Sequence, residues 1–169
     1  MADKLRELIL WRHAKSDWGD PSLTDHERPL SERGRRNANK MANWIQQNAL
    51  TPDLILCSTA KRAQQTLRRF CPDCAIETEH LETLYMADVP TLLRQLAKVP
   101  QHFKRVMLIG HNPGMEELIA YLNTEPLSLA ADVKLFPTAA VAHFIMPSDW
   151  RSLEKGDGRL ISLTRPKDI

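Results

Sequence analysis

Leu8-Ile9-Leu10-Trp11 is a run of four large apolar residues, the pattern of a strand covered on both faces as in a parallel sheet. It breaks abruptly into Arg12-His13. Similar buried-strand patterns recur over residues 53–57 and 105–110, and a fourth strong one over 139–146. Between them the apolar period changes. Ala38, Met41, Ala42 and Ile45 fall at i, i+3, i+4 and i+7, which predicts a helix burying one stripe. Ser31 is its expected N-cap, with Glu32 in the first turn and an end near Asn48. Ala63, Thr66, Leu67 and Phe70 predict a second helix, capped by Ser58. Residues 90–97 predict a third with Pro90 in its first turn. Met115, Leu118, Ile119 and Leu122 predict a fourth, with Asn112 as cap and Pro113 at the first helical position. Residues 75–79 alternate like an exposed strand, 80–88 read as a loop or short helix, and 160–163 as an added edge strand. Residues 17–30 are polar and broken by Gly and Pro, hence a loop, and 127–136 read as a connector. Strands alternating with helices predict an α/β layered domain with a mostly parallel sheet.

Composition narrows the classes. At 169 residues the chain suits a single domain spanning 1–169, and 43% apolar with 26% charged residues argues against disorder. A net charge of +2 gives no strong field towards nucleic acid or membrane, and no apolar run approaches a membrane span. The first residues lack a secretory pattern, so the expected location is cytoplasmic. Monomer is the default expectation. An odd number of cysteines, Cys57, Cys71 and Cys74, suits a reducing compartment. Cys71 and Cys74 have redox or zinc spacing, yet they follow a helical pattern instead of opening one, and only one half of a zinc site is visible. They are expected to be incidental loop thiols.

The chemistry lies at the strand ends. Ligands of open α/β sheets sit beyond the carboxyl ends of the strands. Three such ends carry Arg12 with His13, Arg62, and His111. Lys61 and Arg62 in the first turn of a helix oppose its dipole, and an anion bound there gives a reason for them. Taken singly, each of these residues also reads as a solvated surface group. Together, two guanidiniums and two imidazoles match a phosphoryl group. No P-loop, dinucleotide fingerprint or acidic cluster for Mg²⁺ is present in the sequence. Metal binding by the two histidines is the rival use, and flanking arginines would repel the cation. Nearby cations help keep one imidazole neutral, so His13 can accept a phosphoryl group as a nucleophile while His111 donates a hydrogen bond to it.

Arg12-His13-Ala14-Lys15-Ser16, with Arg28-Pro29-Leu30-Ser31 to Gly34, Ser58 to Arg62, and Gly110-His111-Asn112-Pro113, resembles the histidine phosphatase superfamily. The short form, and the ending Lys134-Leu135-Phe136-Pro137-Thr138 to Arg165-Pro166-Lys167, are similar to the SixA-type phosphohistidine phosphatases. The resemblance spans nearly the whole chain. It implies a three-layer α/β/α, phosphoglycerate-mutase-like fold, with no metal and no organic cofactor. It also implies that His13 is the phosphoryl acceptor, that Arg12 and Arg62 bind phosphate, and that His111 is the second histidine of the phosphate pocket. Ala14 stands where the superfamily usually has Gly. Gly19 stands where larger relatives often place a phosphate-contacting Asn, and Ser16 is the candidate to replace that ligand. Glu82 is the nearest candidate for the catalytic acid of larger relatives, against a solvated loop Glu. An imidazole leaving group, with a pKa of about 6.5, can depart without a strong acid, whereas an alkoxide cannot.

The implied substrate is phosphohistidine in a phosphorelay or phosphotransfer protein. The alternatives are a small phosphorylated molecule hydrolysed in the same pocket, or a domain that binds phosphate without catalysis. Arg28, Arg33, Arg35 and Arg36 could dock an acidic partner, against the reading of solvated helix-surface charges.

Overall fold

The structure, a computed structural model, describes residues 5–127 and 134–169. The first four residues and most of the connector expected over 127–136 therefore lie outside the described residues. Ten main elements follow in order: β1 (Arg6–Arg12), α1 (Glu32–Gln47), β2 (Leu54–Ser58), α2 (Lys61–Phe70) and β3 (Glu77–Leu81), then α3 (Val89–Ala97), β4 (Arg105–Gly110), α4 (Gly114–Leu122), β5 (Val141–Met146) and β6 (Arg159–Thr164). The six strands form one sheet in the order β3-β2-β4-β1-β5-β6. β3, β2, β4 and β1 run parallel, and β5 and β6 join antiparallel.

Alternating side chains of the central strands feed two cores, one on each face. Leu8, Leu10, Leu56 and Leu108 pack with Leu92 and Leu96 of α3 and with Met115, Leu118 and Leu122 of α4. Ile9, Trp11, Ile55 and Ile109 pack with Met41 and Ile45 of α1 and with Leu67 and Phe70 of α2. Full burial of each such side chain contributes about 1.5–3 kcal/mol. This two-sided demand makes β1 continuously apolar. It also produces the three-layer α/β/α architecture. The expected exposed strand sits two residues later than its alternation indicated, at Glu77–Leu81.

The parallel register sets the functional edge. Arg12 pairs with Gly110, and Cys57 with Ile109, so β1, β4 and β2 end side by side. His13, Ser58 and His111 leave the sheet at that edge.

Three local expectations are corrected. Ser58 does not cap α2: it is the last residue of β2, and Ala60 is the cap. Its hydroxyl oxygen accepts the Ala60 N–H at 3.3 Å and lies 2.7 Å from His111 Nε2. α4 begins at Gly114 with Pro113 in the cap position, although Asn112 Oδ1 still accepts the Glu116 N–H at 3.2 Å. Cys71 and Cys74 form a disulfide and are not free loop thiols. The turn after α2 brings their Cα atoms to 4.7 Å, a geometry that cysteine counting cannot register. By contrast, Ser31 caps α1 as expected, accepting the Gly34 N–H at 3.0 Å. No helix among the described residues is long and apolar enough to cross a membrane.

Candidate active site

The exit of β1 is fixed from three sides. The Arg12 N–H donates to Ala140 O, and the His13 N–H to Gly110 O, each at 3.1 Å. The Ala14 N–H donates to Thr66 Oγ1 at 3.0 Å, and the Thr66 hydroxyl donates to Arg62 O at 2.8 Å. One threonine thus locks the His13 segment to the turn of α2 that carries Arg62.

His13 is 7% exposed, and its Nδ1 lies 2.7 Å from the Ala14 carbonyl oxygen. A carbonyl can only accept, so Nδ1 carries the proton. That leaves the lone pair on Nε2, where Arg62 Nε donates a hydrogen bond at 3.4 Å. Burial holds the His13 pKa well below the usual imidazole value, with His111, Arg62 and Arg12 adding in the same direction. His111 is pushed down to about 3, again first by burial and then by Arg62. Both rings are therefore neutral at pH 7. Desolvation contributes more to this than the neighbouring cations expected from the sequence. The two rings lie 5.0 Å apart, centroid to centroid.

A cavity of about 360 Å³ opens over this group, lined by Arg12, His13, Ser16, Asp25, Arg62 and Asn112 among others. His111, only 2% exposed, packs beside His13 without being one of the lining residues. Arg12 reaches Phe136 O with Nη1 at 3.1 Å, while its Nε is buried with no hydrogen-bond partner among the described residues. Exposed Trp18 and Met86 form part of the rim. No group of three or more His, Cys, Asp or Glu among the described residues is placed to hold a metal ion. The arrangement suits a tetrahedral oxyanion: guanidinium donors, a neutral nucleophilic nitrogen and a second imidazole.

The chain as a whole is similar to known proteins. Residues 8–88 match the model of the histidine phosphatase superfamily, branch 1. A SixA protein of Agrobacterium tumefaciens, assigned to the phosphohistidine phosphatases, superposes with a TM-score of 0.82 at 32% identity, covering 95% of this chain and 98% of its own. The chain belongs to the histidine phosphatase superfamily and is of the SixA type. The protein histidine phosphatase SixA solved with tungstate matches this SixA-type chain with a TM-score of 0.77 at 25% identity, covering 96% and 98%. An uncharacterized protein of Mycobacterium tuberculosis is 31% identical over 160 residues, which is 92% of this chain and 99% of the relative.

Within this SixA-type phosphatase, Arg12, His13, Arg62 and His111 come together as the sequence suggested, and Ser16 lines the same cavity. Glu82 does not join them. It lies exposed in the short 3-10 helix Glu82–Leu84, outside the cavity wall. The carboxylate that faces the site is Asp25, which sequence reasoning missed. Arg62 Nη2 donates to Asp25 Oδ2 at 3.0 Å, and Nη1 to its backbone carbonyl at 2.7 Å. The Tyr85 hydroxyl donates to the same carboxylate oxygen. Those bonds, Tyr85 first and then Arg62, hold the Asp25 pKa below the usual carboxylate value. Asp25 sits in a polar loop whose spacing carries no mark of a site. Only the folded loop brings it to Arg62.

Proposed function

We propose that this protein hydrolyses phosphohistidine in a phosphorelay or phosphotransfer protein, through a covalent phosphohistidine on His13. The observation that carries the reading is the state of His13: Nδ1 protonated against Ala14 O and Nε2 presenting its lone pair beside Arg62. The Arg62 Nε–H passes from Nε2 to a phosphoryl oxygen, the freed Nε2 lone pair attacks phosphorus, and the substrate N–P bond breaks. The departing imidazole leaves as a neutral ring when its distal nitrogen already carries a proton. Water then attacks the phosphoryl group on His13, releasing phosphate and restoring the free ring. Arg12 and Arg62 supply positive charge to the phosphoryl oxygens in both steps, without a metal.

His111 has a defined part in this scheme. In this scheme Ser58 Oγ, which accepts the Ala60 N–H, donates its own proton to His111 Nε2. That tautomer places the His111 proton on Nδ1, a buried nitrogen with no partner among the described residues. Nδ1–H then donates to a phosphoryl oxygen as its charge changes.

The leaving group decides between protein phosphohistidine and a phosphomonoester. An alkoxide needs a proton from an acid in place. Glu82 is exposed and off the cavity, and Asp25 is held ionised by Tyr85 and Arg62. An imidazole has no such requirement, because its pKa is about 6.5. The protein is further read as a single domain over residues 1–169, acting in the cytoplasm.

The test is a substrate panel with a His13→Ala control. A phosphohistidine protein should be hydrolysed at least about 100-fold faster than an alkyl phosphate, a leaving-group effect of general-acid size. Rapid quenching should trap acid-labile, alkali-stable label on His13. Preference for the alkyl phosphate would replace this reading with a small-molecule phosphomonoesterase. No turnover and no label would leave a phosphate-binding domain.

A further inference from the structure

The cavity over His13 shares Arg12, Lys15 and Thr138 with a second pocket of about 430 Å³. Six of the chain's 23 Lys and Arg line that pocket: Arg12, Lys15, Arg33, Lys134, Arg165 and Lys167. They come from the exit of β1, the first turn of α1, the segment before β5 and the chain's last residues. The other lining residues, Pro137 and Thr138, are uncharged. With a net charge of only +2, the chain has no general excess to account for this concentration. Like charges gathered in a concavity repel one another and raise the local concentration of anions.

The pocket is built, not merely a loose surface patch. Arg165 Nε donates to Lys134 O at 3.1 Å, tying two of its walls together. Lys40 of α1 donates to Pro166 O at 2.7 Å and pins the following turn. Among the described residues, Arg165 is the one cation of the six within ion-pair distance of a carboxylate, Asp168 at 3.5 Å. Arg12 belongs to both pockets, so an anion in the second lies next to the phosphoryl site.

We propose that this pocket is a second oxyanion subsite, taking a phosphate or carboxylate group carried by the same substrate whose phosphoryl group reaches His13. The inference rests on the reading of the His13 cavity as a phosphoryl site, and extends it to the substrate's other charges. The shared chemistry has two sources: Asp or Glu side chains beside a phosphohistidine, or further phosphates in a small molecule.

Binding is measured by calorimetry on the His13→Ala protein with inorganic phosphate and with tripolyphosphate. Tripolyphosphate should bind at least about tenfold more tightly, as expected for a ligand spanning two subsites. The double charge reversal Arg33→Glu/Lys167→Glu, at two exposed positions, should remove that advantage and leave inorganic phosphate within about twofold. Equal affinities, or an advantage that survives the reversal, would overturn the subsite. A kinetic arm on the otherwise native protein identifies the source. Phosphohistidine peptides with acidic flanks should exceed neutral-flanked ones in kcat/KM, through KM, if protein carboxylates fill the pocket. Indifference to the flanks, with the tripolyphosphate advantage intact, assigns it to a phosphate chain. Absence of turnover with either peptide would count against the phosphohistidine reading alone, because the binding comparison stands apart from catalysis.

Discussion

Arg62 Nε donates to His13 Nε2 across 3.4 Å while its two Nη groups hold the carbonyl and carboxylate of Asp25. The fork of one guanidinium thus faces the nucleophile on one edge and a fixed anchor on the other. A lysine has one ammonium on a flexible stem and cannot hold three acceptors in these directions. Arg62→Lys should keep the fold, by circular dichroism, and lower kcat by about 10²–10³ on a phosphohistidine substrate. Activity within threefold of the native protein would show that this geometry is unimportant.

Acid should weaken the fold from an unusually high pH. The unfolded chain protonates His13 and His111 near pH 6.5, but the folded chain resists this, down to about pH 3 for His111. Below pH 6.5 the unfolded state binds more protons, so stability falls as pH falls, with a slope that approaches about 1.4 kcal/mol per pH unit for each imidazole. Denaturant titrations between pH 6.5 and 5, above the carboxylate range, isolate this contribution. A flat profile there would contradict the depressed values.

Gly34 admits no side chain. A Cβ at that position would lie 2.1 Å from the carbonyl oxygen of Lys15, a backbone atom that cannot swing away. The same carbonyl accepts the Ser31 N–H at 2.9 Å, so the clash would push α1 off the loop that carries Ser16. Gly34→Ala should cost about 3 kcal/mol, the upper end of ordinary overpacking. Thermal unfolding measures the loss, and an unchanged Tm would argue against this close approach.

Glu82 provides the opposite control. Because it is exposed and does not line the cavity, Glu82→Gln should leave kcat within about twofold for phosphohistidine and phosphomonoester alike. A severe loss on the ester would restore it as the proton donor.

Apolar runs and helical periods determined most of the architecture in advance. Four consecutive buried residues in β1 required cover on both faces, and the stripes of α1, α2 and α4 supplied it. The charged residues at the strand ends were legible for the same reason: a run that stops at Arg12-His13 marks the edge of a sheet. What the chain order could not reveal was which polar loop folds back over that edge. Asp25 and Tyr85 are 60 residues apart, and neither follows a periodic pattern, yet they meet at Arg62. Ser58 looked like a helix cap because its local role and its distant one use the same hydroxyl. The Cys71–Cys74 bond likewise depended on the turn between them. Periodicity reports burial, which each residue experiences through its own side chain. Long-range polar pairing depends on where two separate segments end up, so tertiary structure alone decided it.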